Sequence, residues 1–155
     1  MICAESTPAL SISCVTNLAR LASEYKLLLD THIWIWSLLQ PEKMVPRVRR
    51  ALEDPANEKW LSPISVWELV ILVEKKRVFL TMSVDEWVAQ SMAMAPLNEA
   101  PLTTEIALAT SNTLLSHRDP ADAFLAATAK VFDLTLVTTD ARLLTAKGIS
   151  LLPNR

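Results

Sequence analysis

Glycine is almost missing from this chain, because Gly148 is the only glycine among 155 residues. Loops that wrap a phosphate, such as G-x-G-x-x-G and the Walker type, need several glycines because their backbone approaches the phosphate closely. The sequence therefore excludes nucleotide binding through a glycine-rich loop.

Cysteine and histidine are also scarce. Cys3 and Cys14 match no metal-binding spacing, and His32 lies far along the chain from His117. A zinc site is therefore not expected, and no G-x-S-x-G elbow presents a serine nucleophile. A reducing compartment is the simplest assumption for a chain with so few cysteines.

Long apolar runs are missing as well. No run reaches the roughly 18 residues that a membrane-spanning helix needs, and polar residues at 5–8 interrupt the early segment, unlike a signal peptide. We expect a cytoplasmic protein without a membrane partner. The formal net charge of −2 does not by itself predict a nucleic-acid partner, although the distribution of charge matters more than its sum.

The pattern of apolar residues predicts one domain over 26–155, preceded by a poorly patterned extension over 1–25. We expect this extension to be a disordered tail or a start upstream of the true domain; the alternative is an arm that binds a partner. Predicted strands alternate with predicted helices: strands at 27–30, 60–64, 94–97, 134–140 and 149–152, and helices at 31–39, 45–54, 65–77, 84–94, 103–115 and 119–132. Continuous apolar strands are typical of a parallel sheet covered on both faces. The predicted fold class is α/β, with three α/β/α layers and a central, mostly parallel sheet of four to five strands.

Four acidic residues follow predicted strands or lie near the start of predicted helices. Asp30 and Asp140 each end a strand, whereas Glu68 and Asp122 lie in the first turns of helices. In open α/β sheets, ligands bind beyond the carboxyl ends of the strands. We therefore expect these four carboxylates to lie at one edge of the sheet.

Helix capping is the simpler interpretation of each acid taken alone. Ser65 and Glu68 have the spacing of a capping box, and Asp119 precedes a proline at the predicted first helical position. Caps need not be acidic, however, since Ser, Thr and Asn serve equally well. Carboxylates brought together repel one another unless a cation neutralises them. Oxygen ligands favour hard ions, so the predicted cofactor is Mg²⁺ or Mn²⁺, as one or two ions.

The motifs DTHIWIW, SPISVWELVILVEKKR, HRDPADAFLAATA and LVTTD occur in this order between Lys26 and Leu152. Together they resemble the PIN-domain nucleases, and most closely the VapC-type toxins of bacterial toxin–antitoxin pairs. The resemblance implies a parallel sheet flanked by helices and a Mg²⁺- or Mn²⁺-dependent ribonuclease. It also implies an RNA substrate, a cognate antitoxin protein and a homodimer.

Matched motif by motif, the resemblance assigns catalysis and metal binding to Asp30, Glu68, Asp122 and Asp140. Ser65, Thr138 and Asp119 are expected beside these carboxylates, supporting them without contacting the ion. Close relatives often carry a basic residue after the third acid, where this chain has Ala123. The residues that bind the substrate therefore stay unassigned.

The expected reaction is metal-assisted hydrolysis of an RNA phosphodiester that leaves a 5′-phosphate. One alternative is a phosphotransfer protein with Asp30 as the phosphoacceptor, although a phosphatase of the haloacid-dehalogenase type would carry an Asp in place of His32. The other is a non-catalytic PIN-like module that binds RNA or a partner, and the presence of all four acids argues against it.

Two further features stay open to more than one interpretation. The helix predicted at 65–77 is apolar nearly all round, which indicates burial in a core or in an interface with a second copy or an antitoxin. Basic clusters at 47–50 and 75–77 are typical of a solvated helix face and equally of phosphate binding.

Overall fold

The structure is a computed structural model and describes residues 24–113, 115 and 119–155. Most of the predicted extension over 1–25, together with Cys3, Cys14 and His117, lies outside the described residues. Among the described residues, no helix combines the length and apolar character that a bilayer-spanning segment requires.

Five strands and six α-helices alternate along the described part of the chain. In chain order they are β1 (Lys26–Leu29), α1 (Thr31–Leu39), α2 (Pro46–Glu53), β2 (Glu58–Leu61), α3 (Pro63–Glu74), α4 (Val84–Met94), β3 (Leu97–Glu99), α5 (Thr104–Ala109), α6 (Pro120–Val131), β4 (Thr135–Thr138) and β5 (Ser150–Pro153). Short 3₁₀ turns follow α1 and α5, and another precedes β5.

The strands form one sheet in the order β3-β2-β1-β4-β5, and every neighbouring pair is parallel. The chain builds β1, β2 and β3 towards one edge and then places β4 on the other side of β1. This reversal creates a crevice beyond the carboxyl ends of β1 and β4, which is where open α/β sheets bind ligands. The predicted parallel sheet of four to five strands is confirmed.

Both faces of the sheet are covered, as the predicted three layers require. Leu27 and Leu29 of β1 point into one apolar cluster with Trp34 and Trp87, whereas Leu28 points into a second cluster on the opposite face. Successive side chains of a strand alternate between faces, which explains the split. All three leucines are at most 2% exposed, so β1 is the centre of the core.

The boundaries around β2 differ from the prediction. The strand ends at Leu61, Ser62 is the N-cap and Pro63 opens α3, so the strand predicted at 60–64 and the helix start predicted at 65 are both displaced. Ser62 Oγ accepts a hydrogen bond from Ile64 N. Proline is favoured at the first helical position because its missing N–H has no partner there in any case. Ser65 is therefore not a cap.

Other predicted boundaries were also wrong. The strand predicted over 134–140 ends at Thr138, so Asp140 follows it by two residues. The helix predicted over 65–77 ends at Glu74, the strand predicted over 94–97 lies at Leu97–Glu99, and the helix predicted over 103–115 ends at Ala109 before a 3₁₀ turn. Thr103 accepts a hydrogen bond from Ile106 N and caps that helix. Helix α3 is not buried all round, because Trp67 is 51% exposed.

Candidate functional site

Asp30 lies at the crevice between β1 and β4. Its backbone N–H continues the ladder by donating to Val137 O at 3.1 Å. Asp30 is the N-cap residue of α1, yet its side chain makes no capping hydrogen bond. Instead Oδ2 accepts a hydrogen bond of 2.7 Å from Thr138 Oγ1. A plain helix cap therefore does not account for this carboxylate, which spans the crevice towards β4.

Burial raises the pKa of the Asp30 carboxyl above its ordinary value. The hydrogen bond from Thr138 and the nearby His32 oppose this shift, whereas the charge of Asp122 adds to it. Asp30 is only 6% exposed, so water does little to stabilise its charged form. An added positive charge in the crevice would favour ionisation.

Glu68 projects from the second turn of α3 and is held by α1. Its Oε2 accepts a hydrogen bond of 2.5 Å from Thr31 Oγ1. Burial raises the pKa of Glu68 to about 7; the Thr31 hydrogen bond lowers it, and the charges of Asp30 and Asp122 raise it. The three carboxylates are therefore within electrostatic reach of one another, although they come from three separate parts of the chain.

Asp122 and Asp140 share a basic neighbour. Arg142 Nη2 lies 2.7 Å from Asp140 Oδ2 and 3.9 Å from Asp122 Oδ2. The hydrogen bond to Asp140 and the charges of both carboxylates raise the pKa of the guanidinium further. Asp140 N donates to Thr138 Oγ1 at 3.0 Å. Thr138 thus connects the carboxylate after β1 with the one after β4.

The remaining predicted residues take different positions. Asp119 is the N-cap of α6, where its Oδ1 accepts a hydrogen bond from Ala121 N, and Pro120 opens the helix as predicted. Its charge raises the pKa of Glu68, so it lies near the site. Ser65 is fully buried, and its Oγ has no hydrogen-bond partner among the described residues.

Two contributors were missed at the level of sequence. Thr31 follows Asp30 directly and binds Glu68, and Arg142 follows Asp140 by two residues and bridges two carboxylates. A hydroxyl beside the first acid and a cation beside the fourth were visible signals. The packing of α1, α3 and α6 decides which carboxylate Thr31 and Arg142 contact. Local sequence patterns do not specify that packing.

Within the described ranges, no three His, Cys, Asp or Glu side chains form a ready group for a metal ion. The chain itself contacts each of the four carboxylates: Thr138 contacts Asp30, Thr31 contacts Glu68, and Arg142 contacts both Asp140 and Asp122. The donor chemistry nevertheless fits a hard cation, because the acids offer only oxygen ligands. Burial first, and the neighbouring carboxylates second, raise the pKa values of Asp30 and Glu68, so a cation bound beside them would favour their ionised forms.

Comparisons with known proteins give a consistent family. A sequence profile of the PIN domain matches residues 27–148. Ribonuclease VapC22 of Mycobacterium tuberculosis is 32% identical over 119 residues, which are 75% of this chain and 88% of that protein.

Solved structures share the fold at lower identity. The structure of VapBC2 from Rickettsia felis bound to a promoter DNA fragment matches with a TM-score of 0.61 and 16% identity, covering 82% of this chain and 97% of that one. FitAcB from Neisseria gonorrhoeae matches with a TM-score of 0.54 and 24% identity, covering 83% and 97%. A toxin–antitoxin complex from Klebsiella pneumoniae matches with a TM-score of 0.57 and 19% identity, covering 84% and 98%.

Proposed function

We propose, from the premise that the chain belongs to the PIN domain family, that it is a divalent-metal-dependent endoribonuclease. It hydrolyses RNA phosphodiester bonds and acts as the toxin of a toxin–antitoxin pair. The similarity to a protein named Ribonuclease VapC22 supports the reaction. The similarity of fold to toxin–antitoxin complexes agrees with the second part.

The observation that carries the proposal is the gathering of acids at the crevice between β1 and β4. Besides burial, the charge of Asp122 raises the pKa values of Asp30 and Glu68, and Asp140 is connected to these acids through Arg142 and Thr138. Carboxylates that lie close together repel one another unless a cation neutralises them, and such clusters are concentrated at functional sites. A polyanionic substrate needs a cation in such a site, and the oxygen ligands favour Mg²⁺ or Mn²⁺.

In the proposed mechanism, Asp30, Glu68, Asp122 and Asp140 would hold one or two divalent ions, directly or through water. When bound, such an ion would lower the pKa of a water molecule and neutralise charge on the phosphate oxygens. The chain's own contribution is orientation. Thr138 fixes Asp30 and Thr31 fixes Glu68 through hydrogen bonds from their hydroxyl groups, so that few rotamers are left to restrict when the ligand binds. Water, rather than the ribose 2′-OH, would attack the phosphorus; the P–O3′ bond breaks, the 3′-oxygen leaves as a hydroxyl group, and the phosphate stays on the 5′ end of the other product.

The proposed partners are a cognate antitoxin and a second copy of the chain. Large apolar side chains that are exposed on the described surface could form such contacts, among them Phe79, Met94 and Leu108. Co-purification of the tagged chain with the product of an adjacent gene, followed by measurement of the mass of the complex, tests both partners.

The activity is tested with purified chain, a long single-stranded RNA and either Mg²⁺ or Mn²⁺. We expect cleavage that chelation abolishes and products with 5′-phosphate ends. Asp122→Asn should remove cleavage while circular dichroism and thermal unfolding stay close to those of the parent chain. Asp133→Asn is the matched control, because Asp133 is exposed just beyond the other end of α6 and has a φ of 51°, which Asn also tolerates.

Two results would count against the proposal. If the Asp122→Asn chain cleaved RNA as fast as the parent chain, Asp122 would have no role in the reaction. RNA binding without any cleavage by the parent chain, in either metal, would favour the non-catalytic PIN-like module instead.

A further inference from the structure

One face of α3 extends from Glu68 at the carboxylate site towards the C-terminal end of the helix. Glu68, Leu72 and Lys75 repeat at the i, i+4, i+7 spacing of a single helix face. At 1.5 Å per residue, Lys75 lies about 10 Å along the helix axis from Glu68. A cavity of about 230 Å³ follows this face. Its polar and aromatic lining consists of His32, Trp67, Glu68, Lys75, Arg77 and Asp119.

These six residues define a groove, here named the α3 groove. Its charged residues change from acidic to basic along its length. Acidic Glu68 and Asp119 line its first end, beside the proposed reaction centre. Lys75 and Arg77 lie beyond the last turn of the helix. A ligand with a repeating negative charge would meet the proposed cation at one end and two basic side chains at the other.

The end of α3 is shaped to bring both basic residues to the groove. Lys75 is the C-cap, and Lys76 adopts a left-handed φ of 55°. Arg77 N then donates to Leu72 O at 2.8 Å, so the chain turns back across the helix end. Glycine usually occupies such a position, because a side chain there costs about 1 kcal/mol or more. The turn places Arg77 against this groove and against a neighbouring cavity that His32 and Leu72 also line.

Trp67 supplies an exposed aromatic surface in the same groove. The side chain is 51% exposed, whereas Trp34 in the core is 1% exposed. The exposed indole offers a flat aromatic face beside the basic residues of the groove. Single-stranded nucleic acids use this feature, since an unpaired base stacks on an aromatic ring while basic side chains hold the backbone. Bases inside an RNA duplex are already stacked and are not available in this way.

We propose that the α3 groove is the track for single-stranded RNA on one side of the cleavage site. Lys75 and Arg77 bind backbone phosphates, and Trp67 stacks on an unpaired base. The assignment rests on the proposed function and deepens it by naming residues that bind the substrate. The charge gradient favours a nucleic-acid strand over an apolar peptide, which would leave Lys75 and Arg77 without partners.

The test measures binding of a short fluorescein-labelled single-stranded RNA by anisotropy, in Mg²⁺ and over a range of salt. All chains carry Asp122→Asn to prevent cleavage. Lys75→Gln and Arg77→Gln should each weaken binding and reduce the salt slope by about 0.7, the value for one phosphate contact with a single strand. Lys147→Gln, which removes the same charge from an exposed site outside the groove, should leave the slope unchanged.

The aromatic contact has its own pair of variants. Trp67→Ala should weaken binding by about fivefold or more at every salt concentration. Trp67→Phe keeps a stacking surface and should retain most of the affinity. Light scattering on the parent and Trp67→Ala chains reports whether the groove is instead an interface between copies.

Three outcomes would overturn the assignment: no RNA binding by the Asp122→Asn parent, groove variants that bind like Lys147→Gln, or a dimer that Trp67→Ala dissociates. The outcomes that would refute the proposed function differ from those that would refute the role of the groove. If the unmodified chain cleaves RNA but the groove variants bind normally, only the track is wrong. If the unmodified chain cleaves no RNA but the groove variants lose binding, the track stands and the nuclease assignment falls.

Discussion

Replacing Thr138 by valine removes one hydroxyl that serves two acids. Thr138 is fully buried, its Oγ1 donates to Asp30 Oδ2 at 2.7 Å, and the same oxygen accepts from Asp140 N at 3.0 Å. Valine has nearly the same shape and suits a strand, so packing is preserved. A hydrogen bond to a charged group contributes about 1.5–3 kcal/mol and an ordinary one about 1 kcal/mol. We expect Thr138→Val to lower the free energy of unfolding by about 3 kcal/mol.

Thr138→Ser distinguishes the contribution of the hydroxyl group to stability from that of the methyl group. Serine keeps both hydrogen bonds and loses one buried methyl, worth about 1 kcal/mol. Urea unfolding at neutral pH, with equal m-values required of all chains, measures both variants. In thermal unfolding, a loss of about 3 kcal/mol corresponds to about 6–12 °C for a chain of this size. If Thr138→Val is as stable as Thr138→Ser, the hydroxyl does not hold Asp30 and the network is wrong.

Further predictions concern Glu68, Arg142 and Ser62. Because the folded-state pKa of Glu68 is raised to about 7 from 4.5, the folded chain binds protons more tightly than the unfolded chain, so stability should fall as pH rises through this window. Glu68→Gln should flatten that slope in urea titrations, and an unaltered slope would contradict the assignment. Arg142 holds Asp140 and would compete with a divalent cation, so Arg142→Gln should bind Mn²⁺ more tightly by calorimetry than Lys147→Gln does; weaker binding would show that the guanidinium supports the site. Ser62→Ala should lower stability by about 1 kcal/mol through loss of the α3 cap, whereas Ser65→Ala, at a buried serine without a cap role, should cost less.

The sequence predicted the architecture well because apolar strands and helices alternate so regularly. Asp30 directly follows β1, within one residue of the predicted strand end, and Pro120 opens α6 after its Asp119 cap as predicted. The displaced boundary at β2 had a local cause. Ser62 followed by Pro63 is itself the signal of a helix start, but the apolar neighbours Leu61 and Ile64 extended the predicted strand across it.

The contacts within the site could not be predicted from local sequence patterns. Acids at the ends of parallel strands must share an edge, so their proximity followed from topology alone. The distances follow from how helices pack: Thr31 reaches Glu68 because α1 and α3 lie side by side, and Arg142 reaches Asp122 because the turn after β4 faces α6. The groove also required the structure, since neither the left-handed turn at Lys76 nor the exposure of Trp67 is visible in composition.

Anomalous diffraction from crystals of the chain grown with Mn²⁺ tests the central claim most directly. The account predicts a manganese peak in the crevice between β1 and β4, with oxygens of Asp30, Glu68, Asp122 or Asp140 at ligand distance and with Arg142 moved away from Asp140. A well-ordered crevice in which these side chains keep their hydroxyl and guanidinium partners, with no peak at millimolar Mn²⁺, would contradict it.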